Sequence, residues 1–200
     1  AYSTNGGASW STINASVAQR IYVYKLQLDP YDQKSLYLNT PDGLFRCQDS
    51  VYPRSGTPCE RIAHDNRYVF SMALDPDSAI GTGTIQKIYT GLRSFGIFKS
   101  SDGGNNFSGS YAGLKANVIL SIANDPAAPQ TLYASVLERG VFKSVNSGVS
   151  WSIVRNGLPS KTINQLAFRP GNSHVLYAAT ADAGLYLTNN GGESWLPRNN

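Results

Sequence analysis

Charge is scarce in this chain: Asp, Glu, Lys and Arg together make up 15% of its 200 residues. With 41% hydrophobic residues beside so few charges, a self-repelling disordered chain is excluded and a core of ordinary size is expected. Long apolar runs are missing too. The longest uninterrupted stretches are four to six residues, far below the roughly 20 needed to cross a bilayer as a helix, so no membrane span is expected. Basic runs are equally absent. The net charge of +4 comes from residues as scattered as Lys25, Arg46, Arg54, Lys99, Lys143 and Arg155, with no cluster of the kind that tracks a phosphate backbone. Nucleic acid is therefore not an expected partner. The chain opens at Ala1 without Met and without a basic and apolar leader, so any targeting signal is expected to lie upstream or to have been removed.

Gly, Ser, Thr and Asn are plentiful instead, a composition suited to short strands joined by tight turns. One turn recurs. Ser3 to Trp10 reads STNGGASW, Ser100 to Phe107 reads SSDGGNNF, Ser144 to Trp151 reads SVNSGVSW and Thr188 to Trp195 reads TNNGGESW. Aligned on the acidic or amide residue, the turns place Asn5, Asp49, Asp102, Asn146 and Asn190 at spacings of 44, 53, 44 and 44. Upstream of each turn lies a Gly followed by two apolar residues, beginning at Gly43, Gly96, Gly140 and Gly184. Before that comes an apolar pair ending in Tyr37, Tyr89, Tyr133 or Tyr177, and earlier still a short run closed by Pro30, Pro76, Pro126 or Pro170.

Each unit thus offers four short runs bounded by Gly, Pro, Asn and Asp, and none has helical periodicity of useful length. The Asp-Pro ends suit first strands, because Pro cannot continue a ladder. A period of this length holding four antiparallel strands is that of a β-propeller blade. The fold class expected is all-β, with four complete blades at about 17–62, 63–110, 117–154 and 162–200. First strands are expected near Leu26–Asp29, Ser71–Leu74, Leu120–Ala123 and Gln165–Phe168. Residues 1–16 read as the end of a preceding blade, so a longer propeller of roughly six to eight blades is expected.

Within the turn, the Asp or Asn side chain is placed to accept backbone N–H groups, while Gly104, Gly148 and Gly192 supply positive φ. The aromatic five residues on, Trp10, Phe107, Trp151 or Trp195, is expected to pack over the turn as a self-contained staple, and all three tryptophans of the chain sit at this position. The pattern S/T-x-D/N-x-G-x-x-W resembles the Asp-box, or bacterial neuraminidase repeat, of sialidases, double-propeller xyloglucanases, sortilin-like receptors and photosystem II assembly factors. The resemblance covers almost the whole chain, through four clear boxes and a degenerate one at Asp49. It implies that the boxes lie at the blade periphery, opposite the usual ligand face, and are structural.

The degenerate box has lost its Gly and Trp, and its loop lengthens to SVYPRSGTP. Cys47 and Cys59 bracket it across a hairpin neck, so a disulfide closing eleven residues is expected, worth about 3 kcal/mol in the chain-entropy model. Two buried thiols in a cytosolic protein are the alternative. Zinc is disfavoured, because no second Cys pair exists and His64 and His174 fall in different repeats. Asn14-Ala15-Ser16 and Asn106-Phe107-Ser108 match glycosylation acceptors, a weak signal.

Chemistry is sought on the face opposite the boxes. The loops joining second to third strands read NTPDG, TGLRSFG, SVLERG and ATADAG, and present Asp42, Arg93, Phe95, Glu138, Arg139 and Asp182 as a candidate binding rim. The alternative is that these are solvated loop tips. The resemblance to sialidases implies three arginines and a Tyr/Glu pair, and the rim offers two arginines and no such Tyr. The resemblance to xyloglucanases implies two catalytic Asp in separate blades, which Asp42 and Asp182 could mimic, but no aromatic sugar-stacking run accompanies them. Asp29, Asp75 and Asp125 recur once per unit and read as architecture. The function expected is a non-catalytic, extracellular or periplasmic interaction or scaffold propeller, with a protein or glycan partner and no cofactor or metal. A glycoside hydrolase with catalytic residues partly outside the segment is the alternative.

Overall fold

The computed structural model describes residues 3, 5–10, 22–31, 35–47, 59–79, 85–114 and 117–199. Among the described residues, sixteen strands form four separate antiparallel sheets of four. The first holds β1 (Lys25–Leu28), β2 (Leu36–Thr40), β3 (Gly43–Cys47) and β4 (Cys59–Ala63), paired in that order. The second holds β5 (Val69–Leu74), β6 (Ile88–Leu92), β7 (Gly96–Ser100) and β8 (Ser108–Gly109). The third holds β9 (Ile119–Asp125), β10 (Ala128–Val136), β11 (Gly140–Ser144) and β12 (Ser152–Ile153), and the fourth β13 (Ile163–Arg169), β14 (Asn172–Thr180), β15 (Leu185–Thr188) and β16 (Leu196–Pro197). These are the blades of a β-propeller. No α-helix occurs among the described residues; the one helical turn is a 3₁₀ turn at Pro76–Ala79, inside the unit with the longer spacing.

The first strands lie where the Asp-Pro signal puts them, with ends shifted by up to two residues. They also contact one another. Ser71 Oγ in β5 donates to the Ile119 carbonyl (2.9 Å), and the Leu166 amide in β13 donates to Ser121 Oγ in β9 (3.1 Å). The first strands therefore form the inner wall of the array, and each sheet extends outward from it.

The core is divided into seams between successive sheets. Tyr37 and Leu44 of the first sheet pack on Val69, Met72, Ile88 and Leu92 of the second. Ala73, Tyr89 and Ile97 of the second meet Ile122, Leu132 and Phe142 of the third, and Tyr133 and Val141 of the third meet Leu166, Leu176 and Tyr186 of the fourth. Each fully buried Leu or Ile contributes about 1.5 to 3 kcal/mol to these seams. Packing there leaves little slack: a Cβ at Gly91 would overlap Ser71 Oγ and come within 2.7 Å of Ile119 Cβ.

Side-chain hydrogen bonds close the described turns. At the second, Ser100 Oγ donates to Asp102 Oδ1 (2.8 Å), the Gly104 amide donates to Ser100 Oγ (2.9 Å) and the Asn106 amide to Asp102 Oδ1 (2.9 Å). Hydrogen bonds from the Asn106 side chain and backbone, then from Ser100, hold the Asp102 carboxyl down at about 2. Asn5, Asn146 and Asn190 repeat the same network, each accepting the amide of the residue four positions on. Asp49 and the residue 14–16 acceptor triplet lie outside the described residues.

The turns are not self-contained, which corrects the expectation above. The Trp151 indole N–H donates to the Ser110 carbonyl (2.9 Å) and its amide to the Ala112 carbonyl (2.9 Å), both in the segment leaving the second sheet. Trp195 repeats this on the Val154 and Asn156 carbonyls (both 2.9 Å), and the Phe107 ring meets His64 edge-on at 4.9 Å. The turns at Asp102, Asn146 and Asn190 are also grasped from the preceding sheet. The Tyr133 hydroxyl and Lys143 Nζ both donate to the Gly191 carbonyl (3.0 Å each), Tyr89 and Lys99 reach the Ser147 carbonyl, and Arg46 reaches that of Gly103. The aromatic and the turn carbonyl thus join neighbouring sheets. Trp10, at the same position of the first turn, is 66% exposed.

Cys47 and Cys59 form a disulfide joining β3 to β4, and they pack with Leu36 and Phe45 on the side of the first sheet away from the second. Loop residues 48–58 fall outside the described residues.

Candidate functional site

Strand direction separates two faces. First and third strands run from one face to the other, and second and fourth strands return. The repeated turns and the Asp-Pro corners therefore share one face. The second-to-third loops share the opposite face with the segments that lead from each fourth strand into the next first strand.

On that second face the structure assembles aromatic side chains that the rim analysis did not anticipate. Tyr24 immediately precedes β1, and Phe70 is the second residue of β5; counted back from Asp29 and Asp75 they occupy the same register position. Their rings stack at 4.9 Å with planes 20° apart. Tyr68 joins them, 6.3 Å from Phe70 and 6.4 Å from Tyr24, again nearly parallel. The equivalents in the third and fourth blades are Leu120 and Asn164 at the Tyr24 position, and Val118 and Thr162 at the Tyr68 position, so the shelf belongs to the first two blades. Tyr24 is 44% exposed and Tyr22, two residues before it, is 77% exposed. Exposed rings in parallel are costly to leave in water and mark a surface built to be covered.

The second blade frames the shelf with cations. Arg67 sits over the Phe95 ring, its Cζ 4.4 Å from the centroid, and Arg93 lies 5.5 Å from the Tyr68 centroid. The Arg93 amide donates to the Tyr68 carbonyl (3.0 Å), which fixes the β6–β7 loop against the strand entry. Beneath lies His64, at positive φ (62°), whose Nε2 shares a 2.8 Å hydrogen bond with Thr90 Oγ1 and whose ring faces Phe98 and Phe107 edge-on. Burial, then the nearby Arg67 charge, push this imidazole down to about 4, so it is neutral at pH 7.

Of the rim residues, Arg93 and Phe95 are thereby drawn into one cluster with Tyr68 and Arg67. Arg139 is not free for a ligand in the same way: its Nη1 donates to the Leu114 carbonyl (3.0 Å) and its guanidinium lies 5.7 Å from the Phe142 centroid. Asp42, Glu138 and Asp182 stand in the loops of the first, third and fourth blades and share no hydrogen bond or ion pair with one another. Among the described residues no group of three His, Cys, Asp or Glu is placed to hold a metal ion.

The inner wall carries a groove of about 360 Å³, bordered by Lys25, Gln27, Met72, Leu74, Ile122 and Phe168. It is mainly apolar, and Asn124, which also lines it, has a buried Nδ2 without a hydrogen-bond partner.

The missed shelf had a signal in the sequence: Tyr22-Val23-Tyr24 and Tyr68-Val69-Phe70 repeat the same triplet pattern at the entry to two first strands.

No protein-family profile matches the chain, and no curated protein sequence matches it. Solved structures do. An ancestral GH74 enzyme aligns with a TM-score of 0.71 at 21% identity, over 89% of this chain and 24% of its own. A GH74 enzyme of Niastella koreensis aligns at 0.66 and 20%, over 87% of this chain and 29% of its own. The extracellular domain of BT4673 from B. thetaiotaomicron aligns at 0.61 and 20%, over 83% and 21%. The chain spans about a quarter of the length of these structures, and at such identities the likeness shows the fold.

Proposed function

We propose that this chain is a non-catalytic interaction segment of an extracytosolic β-propeller, and that its ligand is a glycan laid across the shelf of Tyr22, Tyr24, Tyr68 and Phe70. The observation that carries this is the exposed Tyr24 stacked on the half-buried Phe70, with the exposed Tyr68 beside them, at the strand entries of two adjacent blades. Flat parallel rings offer the apolar faces of sugar units a broad partner, while flanking polar groups orient the hydroxyls. The disulfide supports a location outside the reducing cytosol, and the similar solved structures include GH74 enzymes and an extracellular domain. The repeated turns fit Asp-boxes, on the face away from the shelf. Leu26 and Leu28 in β1 are exposed where their counterparts Met72, Leu74, Ile122 and Leu166 are covered by a preceding blade or lie at the inner wall. That exposure favours a segment that works with further blades.

The GH74 likeness keeps one other reading in view, a glycoside hydrolase completed by residues outside the segment. The separation of Asp42 and Asp182 into the first and fourth blades speaks against a pair within this chain, because two catalytic carboxylates must flank one bond at roughly 5 to 10 Å. Retention on immobilised polysaccharides, run beside turnover of aryl glycosides and β-glucan oligosaccharides, separates the two. Retention lost in Tyr24→Ala, with no turnover, supports the binding segment. Turnover that disappears in Asp42→Asn or Asp182→Asn replaces it with the hydrolase.

A further inference from the structure

Resting on that glycan-binding reading, we infer that the ligand is anionic, a uronate- or sulfate-bearing glycan whose acid groups meet Arg67 and Arg93 at the edge of the shelf.

A guanidinium lying on a ring uses its face, and its in-plane N–H groups remain free to donate in the fork that matches a carboxylate or sulfate. Arg67 on Phe95 and Arg93 beside Tyr68 are both held in this way and both are exposed. Neither forms an ion pair with a described residue. The other described arginines of the first two blades are matched: Arg46 holds Glu60 at 2.6 Å and Arg61 holds Asp65 at 2.8 Å. Asp65 is the acid nearest Arg67 in the chain, and its commitment to Arg61 leaves the shelf cations uncompensated. Lys25, directly after Tyr24, borders the inner-wall groove instead and is not counted with them. His64 adds no charge at neutral pH. Two guanidinium groups beside the stacked rings give a neutral sugar only the rings, whereas an acidic sugar uses both.

The test is calorimetric titration of the chain with oligogalacturonides, dextran sulfate, neutral xyloglucan oligosaccharides, poly-glutamate and an oligo-dT strand. The variants are Arg67→Gln, Arg93→Gln and, as a charge-matched control away from the shelf, the exposed Lys161→Gln, with circular dichroism to confirm that each is folded. The expected result is tighter binding of an acidic than of a neutral oligosaccharide, weakened about 5- to 10-fold by either arginine substitution and less than about 2-fold by Lys161→Gln. Preference for oligogalacturonide identifies a uronate, and preference for dextran sulfate a sulfate ester. Equal affinity for acidic and neutral glycans, or equal loss in all three variants, overturns the anionic ligand while leaving the shelf as a glycan site. Poly-glutamate or oligo-dT bound as tightly as any glycan, or no glycan bound at all, overturns the glycan-binding reading itself.

Discussion

Replacing Trp151 by Ala should cost about 3 to 5 kcal/mol of folding stability, the range for deleting a large buried aromatic. Trp151 is 6% exposed and packs with Ala73, Ile97, Leu114 and Phe142, residues drawn from both sides of the seam between the second and third blades. Its indole N–H satisfies the Ser110 carbonyl, so truncation leaves a cavity and an unpaired acceptor on the neighbouring blade. Trp151→Phe keeps a six-membered ring but loses the N–H and the pyrrole half of the indole, for which a smaller cost of about 2 to 3 kcal/mol is expected. Trp10 provides an internal control: it holds the same motif position but is 66% exposed, so Trp10→Ala should fall within about 0.5 kcal/mol of the parent. Urea unfolding followed by far-ultraviolet circular dichroism, which does not depend on indole emission, measures all three. A Trp151→Ala loss below about 1 kcal/mol, or a Trp10→Ala loss equal to it, would refute the view that these residues act by joining blades.

His64 should make the protein acid-sensitive. Its folded value of about 4 lies below the ordinary 6.5, so the unfolded chain binds the proton more readily; its contribution is intact above pH 6.5 and is lost as pH falls toward 4. The full effect is about 3 kcal/mol, and His64→Asn should flatten the dependence of the urea midpoint over that window. Reducing the Cys47–Cys59 bridge should lower stability by about 3 kcal/mol, read from unfolding with and without dithiothreitol; an unchanged midpoint would show that its loop is constrained by other means. Asp102→Asn should lower the thermal midpoint less than Asp102→Ala, because Asn146 and Asn190 already hold the same turn with an amide.

Blade number, strand order and the cysteine pair were legible because each is encoded locally. A Pro ends a ladder, a Gly takes positive φ, and two Cys flank one hairpin. The partners of Trp151 and Trp195 were not, since the sequence shows the turn they follow and not the carbonyl 41 residues earlier that they reach. The same limit hid the fate of Arg139, which reads as a loop-tip cation until Leu114 is brought beneath it. The 3₁₀ turn at Pro76–Ala79 escaped because four residues carry no measurable period. The shelf was missed for a different reason. Tyr22, Tyr24, Tyr68 and Phe70 alternate like ordinary strand residues, and only their common register in adjacent blades makes them one surface.

The most direct measurement is titration of an oligosaccharide bound by the wild type into Tyr24→Ala and Tyr68→Ala, with released reducing sugar assayed in the same samples. The account predicts that each substitution weakens binding about tenfold, consistent with 1 to 1.5 kcal/mol per stacked ring, that the unfolding midpoint is unchanged, and that no sugar is released at any point. Undiminished affinity in both variants, or reducing sugar that accumulates with time, would contradict it.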